Sequence, residues 1–441
     1  MTHLFNNQSS GPVGQAPSQS PGITRRFLAP RQSNQSNRGA GTQVAVSVNG
    51  SAATPPGTNR DTLISVFLHG GMDGLTAVVP FGDVDPGTGG RWLDFHRPTL
   101  AIPSPGQPNG AVDLDGFFGL APAAAPLATP FQAGDLAIVH GVGSPDPSRS
   151  HFSATRMIQA ASPNMPGTQL TSGWLARHLS TIAAVGAGDL RAVSQDHIMP
   201  QILAEGPGAL AIKDPTDFTF PGDPATAMAR RSLIENMYQG ARAPMAAATV
   251  SSLAAIDLLA TVDFAGYVPS NGAVYPNTNF GGALKNMAIM IKAGMGLEVA
   301  HVNFHGWDHH SLMGPLTGML ASMLDDLSRS MEALYLDMLG DSNGYTLVLQ
   351  SEFGRRVSEN GSAGLDHGHG NAMFVMGENV NGGQVYGAWP GLAPTSLDSG
   401  DLAVTTDYRD VMAEVLAVRL GSTQLGTVFP NFSPTFLGLV N

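Results

Sequence analysis

Apolar segments alternate with segments of helical periodicity along most of the chain, from about residue 60 onwards. Four short, β-prone apolar segments are predicted as buried strands, because each ends in a polar, glycine-containing loop. These strands cover residues 62–68, 135–139, 296–304 and 345–350. Residues 280–293 and 312–339 carry apolar side chains at helical spacing and are predicted as helices. The alternation predicts an α/β protein with a mostly parallel central sheet and helices on both faces.

The loops after these strands carry most of the candidate metal ligands. In open α/β sheets ligands bind at the carboxyl ends of the strands, so loops that follow parallel strands can supply one shared site. Any one of these side chains could instead be a surface carboxylate or a hydrogen-bonded histidine, but their repeated placement after strands favours a site for one or more divalent metals. The candidate ligands are Asp73, Asp308, His310, Glu352, Asp366 and His367, with His369 beside the last two.

Two of these loops contain neighbouring candidates. In His309-His310 the consecutive side chains of an extended chain point in different directions, so only one is expected to face a site. His310 is the preferred ligand, and His309 is expected to be structural or to support a ligand. Residues 364–370 have glycines around Asp366 and His367, which would allow a close approach to a ligand or form an ordinary tight turn.

A serine nucleophile is suggested by residues 148–151, Ser-Arg-Ser-His, which lie where a helix is predicted to begin near residue 153. Backbone N–H groups and the helix dipole could stabilise an anion beside a serine hydroxyl, while a serine there could equally act only as the N-cap. Arg149 could hold an oxyanion through two hydrogen bonds, and Arg355 or Arg356 could do so from another loop. P-loop, dinucleotide-binding and nucleophile-elbow motifs do not occur in a suitable context.

Composition narrows the chemistry further. The chain of 441 residues has no cysteine, which excludes disulfides and thiolate ligands, so a metal would be held by His, Asp or Glu. Only 22 Lys and Arg residues and a formal net charge of −12 argue against nucleic acid as a partner. No apolar run approaches the roughly 20 residues needed to cross a bilayer, so no transmembrane segment is predicted.

The N-terminal segment differs in character from the rest. Residues 1–60 are rich in Ser, Asn, Gln, Gly and Pro and are predicted to form a disordered tail. Residues 23–28, Ile-Thr-Arg-Arg-Phe-Leu, have the form of a degenerate twin-arginine export signal. The apolar stretch that should follow is missing, and a chance Arg-Arg pair is the alternative. The ordered domain is expected over residues 61–441, with an irregular insertion or cap at residues 190–275.

Seven motifs carry a family resemblance: residues 67–75 (FLHGGMDGL), 148–152 (SRSHF), 173–177 (GWLAR), 306–310 (GWDHH), 351–355 (SEFGR), 364–368 (GLDHG) and 407–409 (DYR). Together they resemble the bacterial family catalogued as domain of unknown function 1501, from about residue 60 to the C-terminus. The resemblance implies the alkaline phosphatase and sulfatase superfamily, and hence an alkaline-phosphatase-like three-layer sandwich. It also implies export, so a periplasmic or extracellular location is expected, with the cytoplasm as the alternative because of the missing apolar stretch.

The same resemblance implies metal-binding roles for individual positions. Asp73 resembles the superfamily's first metal carboxylate, and Asp308 and His310 look like its Asp and His pair. Glu352 stands where many members have an Asp, and Phe353 stands where they have a His. This departure puts the completeness of one metal site in question.

The remaining implied roles concern the late histidine and the nucleophile. His367 resembles a histidine ligand that precedes a glycine, with Asp366 as a ligand or orienting group. Ser150 is the preferred nucleophile and Ser148 the second choice, with Arg149 beside them.

The expected function is a metal-dependent hydrolase of phosphate or sulfate esters. It would act on a small-molecule ester with a divalent ion, either zinc, calcium, magnesium or manganese. The alternative is a non-catalytic envelope or assembly protein that keeps the alkaline-phosphatase-like fold and binds an envelope component. Phe353 and the uncertain nucleophile favour the alternative, whereas the polar cluster at strand ends favours the enzyme.

Overall fold

The computed structural model describes residues 60–163, 171–186 and 188–441. Apart from residue 60, the predicted N-terminal tail lies outside these residues, and so does its twin-arginine-like segment at residues 23–28. Among the helices of the described ranges, none combines the length and the apolar character required to span a membrane.

The strands form one large sheet and one small sheet within the described residues. Their bounds are β1 Thr62–His69, β2 Val78–Val79, β3 Val112–Asp113, β4 Gly119–Leu120, β5 Leu136–Gly143, β6 Ala192–Ser194, β7 Ala209–Ala211, β8 Val299–His305, β9 Tyr345–Ser351, β10 Asn371–Met376, β11 Gln384–Tyr386 and β12 Thr406–Asp407. The large sheet has the order β11-β5-β10-β9-β1-β8-β6-β7, with β12 paired to β5. The small antiparallel sheet has the order β2-β4-β3.

Helices surround the large sheet. The α-helices are α1 Gly74–Ala77, α2 Trp92–His96, α3 Ala128–Ala133, α4 His151–Ala160, α5 Trp174–Thr181, α6 Ala227–Tyr238, α7 Ala243–Leu259, α8 Asn279–Lys292, α9 Met319–Met338, α10 Tyr408–Val418 and α11 Leu425–Val428. Short 3₁₀ helices cover Pro122–Leu127, Gln201–Leu203, Pro215–Asp217 and Pro224–Thr226.

One strand of the large sheet runs against the others. Neighbouring strands pair in parallel except at β10, which is antiparallel to both β5 and β9. The carboxyl ends of β5, β9, β1 and β8 therefore meet at one edge of the sheet. The reversed β10 begins at that same edge, so the loop that precedes it also arrives there.

The central strand β1 shows why the sheet needs helices on both sides. Alternate side chains of a strand point to opposite faces, and Ile64, Val66 and Leu68 join a core built with α8 and α9. Leu63 and Phe67 join a second core built with α5 and α10. The predicted mixed α/β architecture with a mostly parallel central sheet and helices is confirmed.

Helix α9 begins later than its apolar periodicity predicts. Leu312, Gly314 and Gly318 have φ angles of 45°, 59° and 149°, which are incompatible with a right-handed helix. The carbonyl oxygens of Ser362 and Ala363 instead accept hydrogen bonds from the backbone of residues 312 and 313. Tertiary hydrogen bonding therefore holds residues 312–318 as a loop, and the helix starts at Met319.

The range predicted as an insertion or cap contains elements of two kinds. Strands β6 and β7 extend the large sheet beyond β8. The helices α6 and α7 follow, and α6 has no buried residue along its length. Because β6 pairs in parallel with β8, the loop after β6 lies at the same edge of the sheet as the loop after β8.

Candidate metal centre

Three side chains from distant parts of the chain bring potential metal-binding atoms together. These atoms belong to His151, Asp308 and His367, and all lie within 4.8 Å of one another. The Nε2 atoms of His151 and His367 are 3.0 Å apart. Asp308 places Oδ1 at 3.1 Å from Nε2 of His367 and Oδ2 at 3.5 Å from Nε2 of His151.

A third imidazole completes the cluster. Nε2 of His310 lies 2.9 Å from Nε2 of His367 and 3.1 Å from Oδ1 of Asp308. Three imidazole nitrogens therefore lie within 3.5 Å of the oxygens of one carboxylate, a donor set that suits a divalent transition metal. We call His151, Asp308, His310 and His367 the metal cluster.

The other ring nitrogen of each histidine is occupied by its own acceptor. Nδ1 of His151 donates to Oε1 of Glu352 at 2.7 Å, and Nδ1 of His310 donates to Oδ1 of Asp366 at 3.2 Å. Nδ1 of His367 donates to the backbone carbonyl of residue 149 at 2.8 Å. Such acceptors are typical of metal-binding histidines, because they fix the tautomer and direct the Nε2 lone pair at the ion.

These assignments leave lone pairs facing one another. With its proton on Nδ1, a neutral imidazole offers only a lone pair at Nε2, and an ionised carboxylate can only accept. Acceptors at 2.9–3.1 Å repel unless a cation lies between them. Ligand nitrogens of a tetrahedral zinc site are about 3.3 Å apart, since zinc–nitrogen bonds are about 2.0–2.1 Å long. The side chains present therefore fit a metal ion.

The fold delivers these residues by three routes. His151 is the first residue of α4 and follows β5 through a short loop. Asp308 and His310 follow β8, and His367 lies in the loop before β10. Close backbone packing joins the loops: Gly70 has a φ of 121°, and a Cβ there would lie 2.5 Å from the backbone nitrogen of Asp308. Only glycine fits that position.

A buried arginine ties the loops together. The guanidinium of Arg355 is 1% exposed and donates to Oδ1 of Asp308 at 2.6 Å. It also donates to the carbonyl of Gly71 at 2.6 Å, to that of Leu365 at 2.9 Å, and to that of Gly70. Arg355 thus positions the Asp308 carboxylate. The sequence had also allowed it to hold an oxyanion of a ligand, but its guanidinium is occupied by these contacts.

Electrostatics keep Asp308 and His367 in a metal-binding protonation state. Burial acts to raise the pKa of Asp308, but the hydrogen bond and the charge of Arg355 act against it, and the pKa is held at about 2. Burial lowers the pKa of His367, although the carbonyl of residue 149 and the Asp308 carboxylate act in the opposite direction. Near neutral pH the carboxylate is therefore charged and the His367 imidazole is neutral.

The cluster is open on one side. The side chains of Asp308 and His310 are 44% and 43% exposed, and those of His151 and His367 are 30% and 21% exposed. A structural metal site is normally closed by four protein ligands, whereas a catalytic site keeps a position for water or substrate. The exposure allows a small molecule to reach the ligand atoms directly.

Asp73 is not brought into the cluster. Its two carboxylate oxygens accept hydrogen bonds from the guanidinium of Arg97 at 2.6 and 3.0 Å, and both side chains are buried. Burial acts to raise the pKa of Asp73, but Arg97 and Thr76 overcome it and keep the pKa below its ordinary value. Its contacts are those of a buried ion pair.

Glu352 and Asp366 reach the cluster through the imidazoles. Oε1 of Glu352 accepts from His151 and from the backbone N–H of Gly70 at 2.8 Å, and Oε2 accepts from the hydroxyl of Ser351 at 2.9 Å. Oδ1 of Asp366 accepts from His310. Both carboxylates orient ligands in this arrangement, whereas the sequence predicted Glu352 as a ligand and Asp366 as a ligand or an orienting group.

The candidate catalytic residues lie directly beside His151. Ser150 is the exposed N-cap residue of α4, and its side chain makes no capping hydrogen bond. The guanidinium of Arg149 pairs with Asp401, with Nε at 3.1 Å from Oδ2, while its backbone carbonyl supports His367. Ser150 is thus exposed and precedes a cluster histidine in the chain, whereas the Arg149 guanidinium is already engaged.

His151 was not among the predicted ligands. The sequence placed it at the start of a helix after a strand, and that position is the signal that could have identified it. Phe353, which replaces an expected histidine, packs with its ring centroid 4.9 Å from those of His151 and His367. His309 contacts the carbonyl of Trp307, so His310 is the residue of that pair which faces the cluster.

Comparison with known proteins adds one assignment. No curated protein matches the chain. The sequence model of a family described as "Protein of unknown function (DUF1501)" matches residues 137–422, which is more than half of the chain and includes all four residues of the metal cluster. The chain therefore belongs to the family DUF1501.

Proposed function

We propose that this protein is a metal-dependent hydrolase of phosphate or sulfate esters, with an alkaline-phosphatase-like site at the metal cluster. The observation that carries the proposal is the convergence of three Nε2 atoms on the Asp308 carboxylate while every Nδ1 is bound to its own acceptor. The exposure of the cluster favours a catalytic site over a structural one.

The donor set favours zinc among the ions expected. Calcium prefers oxygen ligands, and magnesium is held mainly by carboxylates, water and phosphate. A set of three imidazoles and one carboxylate suits zinc better, and manganese less well because it prefers oxygen. When bound, the ion would polarise the ester and lower the pKa of a water molecule or a hydroxyl group.

The chain's own residues would carry the remaining steps. Ser150 is proposed as the nucleophile, because its hydroxyl is exposed beside His151 and precedes a ten-residue helix whose first N–H groups favour an anion. Its Oγ would lose its proton and form a bond to phosphorus or sulfur while the bond to the alcohol oxygen breaks, and that oxygen would take up a proton and leave as the alcohol. Water would then release the phosphate or sulfate and restore the serine.

A non-catalytic role is the second candidate. Asp73 is bound to Arg97, Phe353 stands at an expected ligand position, and the cluster at His151, Asp308 and His367 is the one group of convergent metal-binding atoms within the described residues. These features favour a single ion over several. A protein that binds an ion without turning over esters would have this arrangement.

Elemental analysis combined with an ester screen separates the two functions. We expect about one zinc per chain after purification, and hydrolysis of at least one phosphate or sulfate monoester that stops on treatment with a chelator. Bound zinc without turnover of either ester class would support the non-catalytic role. Protein that takes up no transition metal would contradict both.

Ser150→Ala tests the nucleophile. We expect hydrolysis to fall by about three orders of magnitude or more, because a nucleophile cannot be replaced by binding alone. Zinc content should be unchanged, because the ligand atoms of the metal cluster come from His151, Asp308, His310 and His367 and not from Ser150. Ser148→Ala is the matched control. Full activity of Ser150→Ala together with loss of activity in Ser148→Ala would show that Ser148 is the nucleophile.

A further inference from the structure

A second group of polar side chains lies beside the metal cluster. In the parallel pairing of β1 and β8, His69 is in register with His305 and Phe67 with Asn303. Paired residues of neighbouring strands share a face at about 4.8 Å spacing. The imidazoles of His69 and His305 therefore stack, with centroids 4.3 Å apart and ring planes 11° from parallel.

Asn303 fixes the orientation of the first imidazole. Its amide oxygen accepts a hydrogen bond from Nε2 of His69 at 2.7 Å and another from Nε2 of His301 at 3.1 Å. Its amide nitrogen donates to Oδ2 of Asp196 at 2.9 Å. Because Nε2 of His69 donates to Asn303, its Nδ1 is left as an acceptor.

The stacked pair is open to solvent and close to the metal cluster. His305 is exposed and its side chain has no hydrogen-bond partner in the described part of the chain, while His69, Asn303 and Asp196 are partly exposed. The residue after His69, Gly70, donates its N–H to Glu352, which in turn accepts from a cluster histidine. The pair and the cluster are thus neighbours along the same edge of the sheet.

This second group is not arranged as a metal centre. Within the described ranges, the atoms that could hold an ion converge at His151, Asp308 and His367, and no such convergence occurs around His69 and His305. An organic ligand is the better match for a pair of parallel rings with free nitrogens at their edges.

We propose that His69 and His305 form a binding subsite for the sugar or polyol part of an ester whose phosphate or sulfate lies at the metal cluster. The proposal rests on the hydrolase function proposed above. It goes beyond that function because it names the class of alcohol that the ester contains.

The chemistry of the subsite selects hydroxyl groups. Nδ1 of His69 can only accept, the free imidazole of His305 can both accept and donate, and hydroxyls satisfy both. The carboxylates of Asp196 and Glu352 lie on either side of the pair in the sheet order and disfavour a second anionic group. A neutral, hydroxyl-rich group is therefore preferred over a second phosphate and over a purely aromatic one.

Calorimetric titration with two phosphate monoesters tests the subsite. Glucose 6-phosphate carries the hydroxyls and phenyl phosphate does not, and both are titrated into the zinc-loaded Ser150→Ala protein to prevent turnover. We expect the sugar ester to bind more tightly, and His305→Ala in this background to weaken it about tenfold with no change for phenyl phosphate, as loss of one or two hydrogen bonds would do. His197→Ala, an exposed histidine of the β6 loop, is the control and should change neither affinity.

The outcomes separate the subsite from the hydrolase proposal. If both esters bind with similar affinity and His305→Ala changes neither, the subsite is wrong while ester binding at the metal stands. If phenyl phosphate binds more tightly and is the one weakened by His305→Ala, the subsite takes aromatic groups and the proposed class is wrong. If neither ester binds to protein that contains zinc, the ester hydrolase function fails and the subsite with it.

Discussion

His367→Ala is expected to lower zinc affinity by more than about a hundredfold. Loss of a group that only orients a ligand typically costs about 10–100-fold in metal affinity, and loss of a ligand should exceed that. His367 has the largest expected effect because its Nε2 lies within 3.1 Å of three other members of the cluster. Competition for zinc with a chromogenic chelator measures the change.

A matched histidine of the same loop serves as the control. His369 is two residues away, and its Nε2 donates to the carbonyl of Ser144 at 2.7 Å, outside the metal cluster. His369→Ala should therefore keep its zinc affinity within a few-fold of the wild type. His310→Ala should reduce the amount of bound metal. Glu352→Gln should weaken zinc binding less than His367→Ala does. Equal zinc affinity in the His367 and His369 variants would show that the cluster does not hold the ion.

The second large effect is a loss of stability in mild acid. His140, His178 and His301 are buried, and burial lowers the pKa of each to about 4. In the unfolded chain these histidines titrate near the ordinary value of about 6.5. The unfolded state therefore binds more protons between these values, and stability falls as the pH drops from 6.5 towards 4.

The size of this effect follows from the pKa difference. Each histidine should lower the free energy of unfolding by about 2 kcal/mol between pH 7 and pH 5, so the three together should remove about 6 kcal/mol if they act independently. Urea unfolding at both pH values measures it. A chelator should be present in all samples, because release of a metal ion in acid would add its own loss of stability.

His178→Leu identifies one of these contributions. Neither ring nitrogen of His178 has a hydrogen-bond partner among the described residues, so leucine removes the proton-binding group without leaving a partner unsatisfied. Between pH 7 and pH 5, the free energy of unfolding of the variant should fall by about 2 kcal/mol less than that of the wild type. The exposed His197→Gln should leave the pH dependence unchanged. An identical pH dependence in His178→Leu and wild type would show that His178 does not titrate as proposed.

Local sequence pattern was sufficient for much of the fold. The apolar runs became strands β1, β5, β8 and β9 because burial on both faces of a sheet requires continuous apolar sequence. The polar loops after β8 and β9 arrived at one edge because parallel strands end together. Placing the Asp308 and His310 loop beside the Glu352 loop needed no more than this rule.

Three features depended on contacts between distant residues. The reversed direction of β10 brings the His367 loop to the edge where β9 ends, and no periodicity encodes strand direction. Asp73 forms a buried ion pair with Arg97, because a buried carboxylate needs a cation and the fold packs Arg97 against it. His151 became a cluster member when α4 packed with its first residue against Glu352.

The difference between what the sequence determined and what the tertiary structure decided has a physical origin. Sequence alone determined which segments are buried, which are strands or helices, and which loops carry imidazoles and carboxylates, because these properties follow from periodicity and residue chemistry over a few neighbours. The tertiary structure decided which carboxylates could meet an ion and which only orient a histidine. Glu352 and Asp308 are chemically alike, yet one accepts from the Nδ1 of an imidazole and the other faces the Nε2 atoms. That difference is set by distances of a few ångströms between residues far apart in the chain.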